Sequence, residues 1–253
     1  MKYIFALFLV FLFAGCDQNT KELSANEIVN KAIVVAGGDK LDRTSYSFQF
    51  RDKLYTANRN NGEFLLSREF NQDSVGYIQD YIDNKGFERY INKKRVLLAD
   101  TTAAKFSASV NSVHYFAILP HGLNDKAVNK QLIGHSTIKN EPYYKIKVTF
   151  NKEGGGEDFE DEFIYWIHTK TFKVDYLAYS YAEDDGTGFR FREAYNERYV
   201  ASLRFVDYNN YKPEAAGISV EDLDDLFEKN QLKLLSKIKL ENISMGESQE
   251  VNP

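Results

Sequence analysis

The sequence predicts a mainly β fold with a few helices, in which one open, curved antiparallel sheet forms a half-barrel with the helices on its concave face. Three observations lead there. Apolar and polar residues alternate with a period of two from Thr44 onward, as in Tyr46, Phe48 and Phe50 against Ser45, Ser47 and Gln49. Turn sequences recur between such runs, among them Asn61-Gly62, Asn84-Lys85-Gly86 and Asn92-Lys93-Lys94. The 17 Tyr and 19 Phe among 253 residues suit broad sheets, where rings pack across neighbouring strands.

The first element is not part of that fold. Met1-Lys2-Tyr3 carries one positive charge, Ile4 to Phe13 is an unbroken apolar run, and Ala14-Gly15 stands directly before Cys16. A membrane-spanning helix needs roughly 20 apolar residues; this run stops after ten and gives way to Asp17, Gln18, Asn19 and Thr20. Residues 1–15 therefore read as a cleaved signal peptide. Cys16 is the single cysteine. Its place after Leu12-Phe13-Ala14-Gly15 resembles the lipobox of bacterial lipoproteins, with Phe13 where leucine is commoner. A free thiol would be a liability in an oxidising compartment, whereas lipidation accounts for both the residue and its position. Two or three acyl chains make a durable anchor, and residues 16–23 then form the lipidated cysteine and a polar tether.

From residue 24 to 243 a single domain is expected, with 244–253 as a disordered tail. Ser24 caps a helix, with Glu27 as its capping-box partner, and Gly37-Gly38 ends it. Hairpins follow: alternation runs from Thr44 onward, Asn61-Gly62 turns the chain into a strand at 63–70, and further strands are expected near 75–83, 87–92 and 95–98. Between 101 and 117 the rhythm changes: Ala103, Ala104, Phe106, Val110, Val113 and Phe116 fall near helical spacing, and Pro120 and Gly122 close the segment. This helix should cross a sheet face. Strands resume near 131–139, 142–150, 159–168, 172–183, 189–200 and 203–211. A short helix near 220–229 and a last strand or extended segment to about 243 complete the domain.

Several segments resemble an uncharacterised family of Bacteroidetes-type lipoproteins: Gly37-Gly38-Asp39-Lys40-Leu41, Asn111-Ser112-Val113-His114-Tyr115-Phe116, Glu153-Gly154-Gly155-Gly156, the run from Arg190 to Arg198, and the run from Phe205 to Tyr211. The resemblance covers about residues 25–243. More loosely, it extends to the half-barrel of the lipoprotein carrier LolA and its receptor LolB, a likeness of architecture that implies no activity by itself. Members sometimes carry the name deoxyribose-phosphate aldolase. That name implies a (β/α)₈ barrel with a Schiff-base lysine, and such a barrel needs alternating strands and helices. Hairpins dominate here, so aldolase activity is not expected.

Composition bounds the partners. Loss of Lys2 with residues 1–15 takes the formal charge from -5 to -6, which speaks against nucleic acid or a polybasic membrane surface. The densest polar cluster is late in the chain. Regular alternation puts Arg190, Arg192, Asn196 and Arg198 on one strand face, opposite Phe189, Phe191, Glu193, Tyr195 and Glu197. Three arginines on one surface could fork onto a carboxylate, a phosphate or an acidic glycan, or else form ion pairs with acids such as Asp175 and Asp207 on a solvated face. Asn111 and His114 sit one turn apart on the central helix and could meet Tyr208 or Asn209 in the trough. His114 and Glu193 are the candidate acid–base groups, but the sequence shows no partner for either.

No metal site is expected, because His114, His121, His135 and His168 lack ligand spacing. The acids from Glu153 to Glu162 fit no calcium loop and read as a hairpin tip, and Gly186-Thr187-Gly188 lacks the context of a phosphate cradle. No cofactor is implied. The leading functional expectation is an envelope lipoprotein, non-enzymatic, that binds or carries a hydrophobic or amphipathic ligand in the trough, with the membrane reached through its lipid anchor. The alternatives are an envelope hydrolase or lyase using His114 with Arg190 or Arg192, and a surface binding module. The oligomeric state and the choice of inner or outer membrane stay open at this point.

Overall fold

The structure is a computed structural model and describes residues 22–154, 159–183, 186–215 and 217–247. The expected signal peptide, Cys16 and most of the tether lie outside the described residues, as does the centre of the acidic tip at 155–158.

Helix α1 (Ala25–Val35) begins as the sequence predicts. The Ser24 hydroxyl accepts the Glu27 backbone N–H at 3.3 Å and the Glu27 carboxylate accepts the Ser24 N–H at 2.8 Å, which closes the capping box. Gly37, with φ 81°, then turns the chain into a one-turn helix, α2 (Gly38–Leu41). A Cβ on Gly37 would stand 2.1 Å from the Ser202 carbonyl oxygen, so both the backbone and the space demand glycine.

Six strands follow as hairpins: β1 (Thr44–Phe50), β2 (Lys53–Asn60), β3 (Glu63–Gln72), β4 (Gly76–Asp83), β5 (Gly86–Ile91) and β6 (Lys94–Val96). Helix α3 (Asp100–Ala117) and a short turn of 3-10 helix interrupt them. The second series is β7 (Val128–Ile138), β8 (Glu141–Phe150), β9 (Phe163–His168), β10 (Val174–Glu183), β11 (Gly186–Val200) and β12 (Leu203–Pro213). Helix α4 (Leu223–Glu228), β13 (Leu232–Ile238) and β14 (Glu241–Glu247) finish the described chain.

The fold is mainly β, antiparallel and open, as expected. The strands among the described residues divide into two sheets of seven. The first has the order β14-β1-β2-β3-β4-β5-β6 and the second β13-β12-β11-β10-β9-β8-β7. The expected tail boundary at 243 moves outward. Residues 244–247 belong to β14, where Met245 pairs with Tyr46 and packs partly buried on the core, so backbone pairing and apolar contact both hold the segment.

Register explains the layers. In the first sheet, Tyr46, Ala57, Leu66 and Ile82 stand opposite one another across β1 to β4, and Val110, Ala117 and Ile118 from and beside α3 cover this row. In the second sheet all six residues of β9 are buried, because both of its faces are covered. Phe163, Tyr165 and Ile167 pack on the side of α1, against Ile28, Val29 and Ala32. Ile164 and Trp166 pack on the other side, against Val220 and Leu223. Helices α1 and α3 thus hold the inner face assigned to helices by the sequence. Helix α4 does not: it covers the outer face, where Asp224 accepts the Trp166 indole N–H at 3.1 Å and pairs with Lys145 at 3.0 Å.

Candidate functional site

Helix α3 carries two different faces. Val110, His114 and Ala117 are buried, and His114 turns toward the first sheet, where its Nε2–H donates to the Ser67 carbonyl oxygen at 2.9 Å. Ala104, Ser107, Ala108, Asn111 and Tyr115 recur at spacings of three and four and face a cavity instead. The opposite wall is the inner face of the second sheet. Strand register supplies Phe163 beside Tyr179, Arg192 beside Asn210, and Tyr208 beside Ile238. Phe50, Arg51, Ile82 and Leu240 line the cavity as well. It is open to solvent on one side and has a volume of about 900 Å³.

Aromatic rings dominate one side. Phe163 and Tyr179 stack at 5.2 Å between centroids, and Phe116 of α3 leans on both, at 6.3 and 5.5 Å. Phe150 meets Phe163 edge to face at 5.7 Å. The hydroxyl of Tyr115, which also lines the cavity, shares a hydrogen bond of 2.8 Å with that of Tyr165. Burial pushes both phenols up, and Tyr208 as well, so all three stay neutral at physiological pH.

Arg192 is the buried one among the charged residues that line the cavity. Its guanidinium carbon lies 3.8 Å from the centre of the Phe116 ring and 5.2 Å from that of Tyr179, and its Nη2–H donates to the Tyr179 hydroxyl at 2.9 Å. Its Nε is buried with no hydrogen-bond partner.

Of the residues singled out in the sequence, Asn111, Arg192 and Tyr208 meet in the cavity. The others do not join them. His114 is fully buried against Phe48 and Tyr55; burial drives its pKa down to about 4, the Ser67 hydrogen bond opposes the fall, and the charges of Arg59 and Arg68 add to it. Glu193 points to the outer face, where Lys139, Asn209 and Tyr211 hold its carboxylate; burial pushes its pKa up, but these partners outweigh burial and leave it below the usual range. Arg190 lies over Tyr181, 4.8 Å from the ring centre.

The regular alternation assumed for β11 stops at Asn196, which has φ 50° and sits at a register shift between Tyr195 and Arg198. Asn196 and Arg198 both clamp Asp207, at 2.8 and 2.9 Å, and Arg198 also donates to the Leu240 carbonyl oxygen at 2.5 Å. The three arginines therefore do not converge on one surface. Nor do His114 and Glu193 meet, since one lies under α3 and the other behind the second sheet. Among the described residues no group of three or more His, Cys, Asp or Glu side chains could hold a metal ion.

Sequence reasoning missed the aromatic wall of Phe150, Phe163 and Tyr179. Its signal was present as alternation in β8, but β9 is apolar on both faces, and only the register shows that Phe150, Phe163 and Tyr179 share a face with α3.

Comparison with solved structures finds likenesses of shape. The LolA superfamily protein of Nitrosomonas europaea is 9% identical with a TM-score of 0.49, over 91% of this chain and 96% of that one. A DUF1329 family protein of Desulfovibrio piger is 12% identical with a TM-score of 0.43, over 87% and 92%. The lipoprotein LppX of Mycobacterium tuberculosis is 10% identical with a TM-score of 0.28, over 63% and 90%. At such identities and scores these likenesses carry no ligand or activity over to this chain. No curated protein matches the sequence. The family described as one of unknown function, DUF6503, matches residues 2–241.

Proposed function

We propose that this chain, which belongs to the DUF6503 family of unknown function, holds a hydrophobic or amphipathic ligand in the cavity between α3 and the second sheet, as an envelope lipoprotein anchored through Cys16. The cavity carries this reading. Its 900 Å³ stands near the upper end of the roughly 300–1,000 Å³ usual for small-molecule sites. Most of its lining is aromatic or aliphatic, and polar side chains such as Arg51, Asn111, Glu160, Asp161, Arg192 and Asn210 interrupt it. The anchor rests on residues 1–16: a short apolar run that ends at the single cysteine. A hydrolytic role finds less support, because His114, Glu193 and the arginines occupy separate places.

Organic extraction and native mass spectrometry of the purified protein test the reading. A stoichiometric apolar or amphipathic species should leave with the protein. In Ala108→Trp, which fills the cavity from α3, that species should be lost while the circular dichroism stays unchanged. Wild-type protein that is empty on isolation, and stays empty after incubation with lipid extract, would overturn the proposal.

A further inference from the structure

Four arginines are buried among the described residues: Arg68, Arg89, Arg192 and Arg204. Three have carboxylates. Arg68 and Arg89 share Asp80, both at 2.6 Å, and Arg204 reaches Glu197 at 2.5 Å and Asp175 at 3.2 Å. Arg192 is 8% exposed and pairs with no carboxylate among the described residues. It has one phenol oxygen and the faces of aromatic rings, and its Nε–H donates to nothing. A guanidinium brought out of water is costly unless an anion or a full set of acceptors receives its donors. Every other buried arginine here meets that requirement, and this one lines the cavity.

We propose that the cavity takes an amphiphile with an anionic head group, carboxylate or phosphate, and that Arg192 receives that head group while the aromatic wall takes the apolar chain. This rests on the ligand-binding reading above and narrows it to a chemical class. The planar fork of arginine suits both acids, since its parallel N–H groups match two oxygens of either. The surrounding phenols help: Tyr179 already orients the guanidinium at 2.9 Å, and the neutral phenols of Tyr165 and Tyr208 add no negative charge. Glu160 and Asp161 also line the cavity, but neither pairs with Arg192.

The test is displacement of Nile red, a neutral apolar dye, from the purified protein at neutral pH by dodecanoate, dodecyl phosphate, dodecanol and inorganic phosphate. Dodecanoate or dodecyl phosphate should act at a concentration about tenfold or more below that of dodecanol, the ratio expected for one charge-assisted hydrogen-bonded pair. Whichever of the two acts at the lower concentration names the head group. In Arg192→Met that preference should vanish while dodecanol displaces as before; Arg192→Lys should keep part of it. Equal displacement by acids and alcohol in the wild type, or a preference that survives in Arg192→Met, overturns the assignment of Arg192 and leaves the ligand-binding reading intact. Displacement by inorganic phosphate alone as effective as by dodecyl phosphate overturns the amphiphile in favour of a free anion. If no dodecyl compound displaces the dye, the ligand-binding reading itself fails.

Discussion

At the scale of single residues, His114 shows how burial sets chemistry. Its Nε2–H is satisfied by the Ser67 carbonyl oxygen, its Nδ1 is bare and without a partner, and the rings of Phe48 and Tyr55 enclose it. A second proton would put an unpaired charge in that setting. The unfolded chain takes up this proton near 6.5 and the folded chain only near 4. Stability from this residue is therefore complete above pH 6.5 and is lost as pH falls from 6.5 toward 4, by roughly 3 kcal/mol at most. Urea unfolding of the wild type and of His114→Gln at pH 7, 5.5 and 4 checks this. Gln keeps a donor for Ser67 and cannot titrate, so the gap between the two proteins should narrow as the pH falls; a constant gap would show that His114 does not titrate there. The sequence marked both His114 and Arg192 as candidates, and only Arg192 lines the cavity. Helical spacing groups residues by face but does not say which face meets which sheet. In β11 the fault lay at one residue, Asn196, whose left-handed backbone breaks the period of two.

At the scale of elements, the attachment of α3 to the first sheet depends on a buried charge cluster. Arg68, Asp80 and Arg89 stand in line across β3, β4 and β5, and the fully buried Asp80 accepts four hydrogen bonds from the two guanidiniums, at 2.6 to 3.0 Å. Both arginines also reach the helix: Arg68 donates to the Ser109 hydroxyl at 2.8 Å, and Arg89 lies 3.5 Å from the centre of the Phe106 ring. Removing the one anion leaves two buried cations face to face. Asp80→Ala should therefore cost about 3–5 kcal/mol, whereas Ser109→Ala, which deletes one neutral acceptor near the surface, should cost about 1 kcal/mol. Thermal and urea denaturation of the two variants would show the difference, and comparable losses would mean that the cluster does not hold the helix. Hairpins, the α1 capping box and the extent of α3 were legible because each is written locally in alternation, turn residues and caps. The charge cluster was not, since its members are distant in sequence and meet only through strand register.

At the scale of the whole molecule, the proposed anchor and the domain are separate devices. No helix among the described residues is long and apolar enough to cross a membrane. The proposed cleavage removes Lys2 and takes the formal charge from -5 to -6, so net charge does not draw the chain to anionic lipid. Cys16→Ser should accordingly block acylation and lipoprotein-type cleavage together, since both require the thiol. Cell fractionation and detergent partitioning provide the measurement: the wild type should follow the membranes, and a chain starting at Asp17 behind a cleavable secretory signal should be soluble. If that chain stays on membranes in high salt, a contact other than the acyl chains holds it there. The division of strands between two sheets was not legible in the sequence. Period-two alternation fixes which way a side chain points, but it does not name the partner strand, and the pairing of β1 with β14 leaves no local trace.

That pairing also constrains how the protein acquires its shape. β1 finds one neighbour immediately, in β2, but its other side is covered only by Glu241–Glu247, at the far end of the described chain. Closing a loop that spans almost the entire domain costs conformational entropy before any contact rewards it, and topologies dominated by such distant pairings fold on the order of milliseconds to seconds. A ribosome or a translocation channel releases β1 long before β14. During that interval the open side of β1 is a row of unpaired amides and carbonyls, available to any extended segment that meets it first.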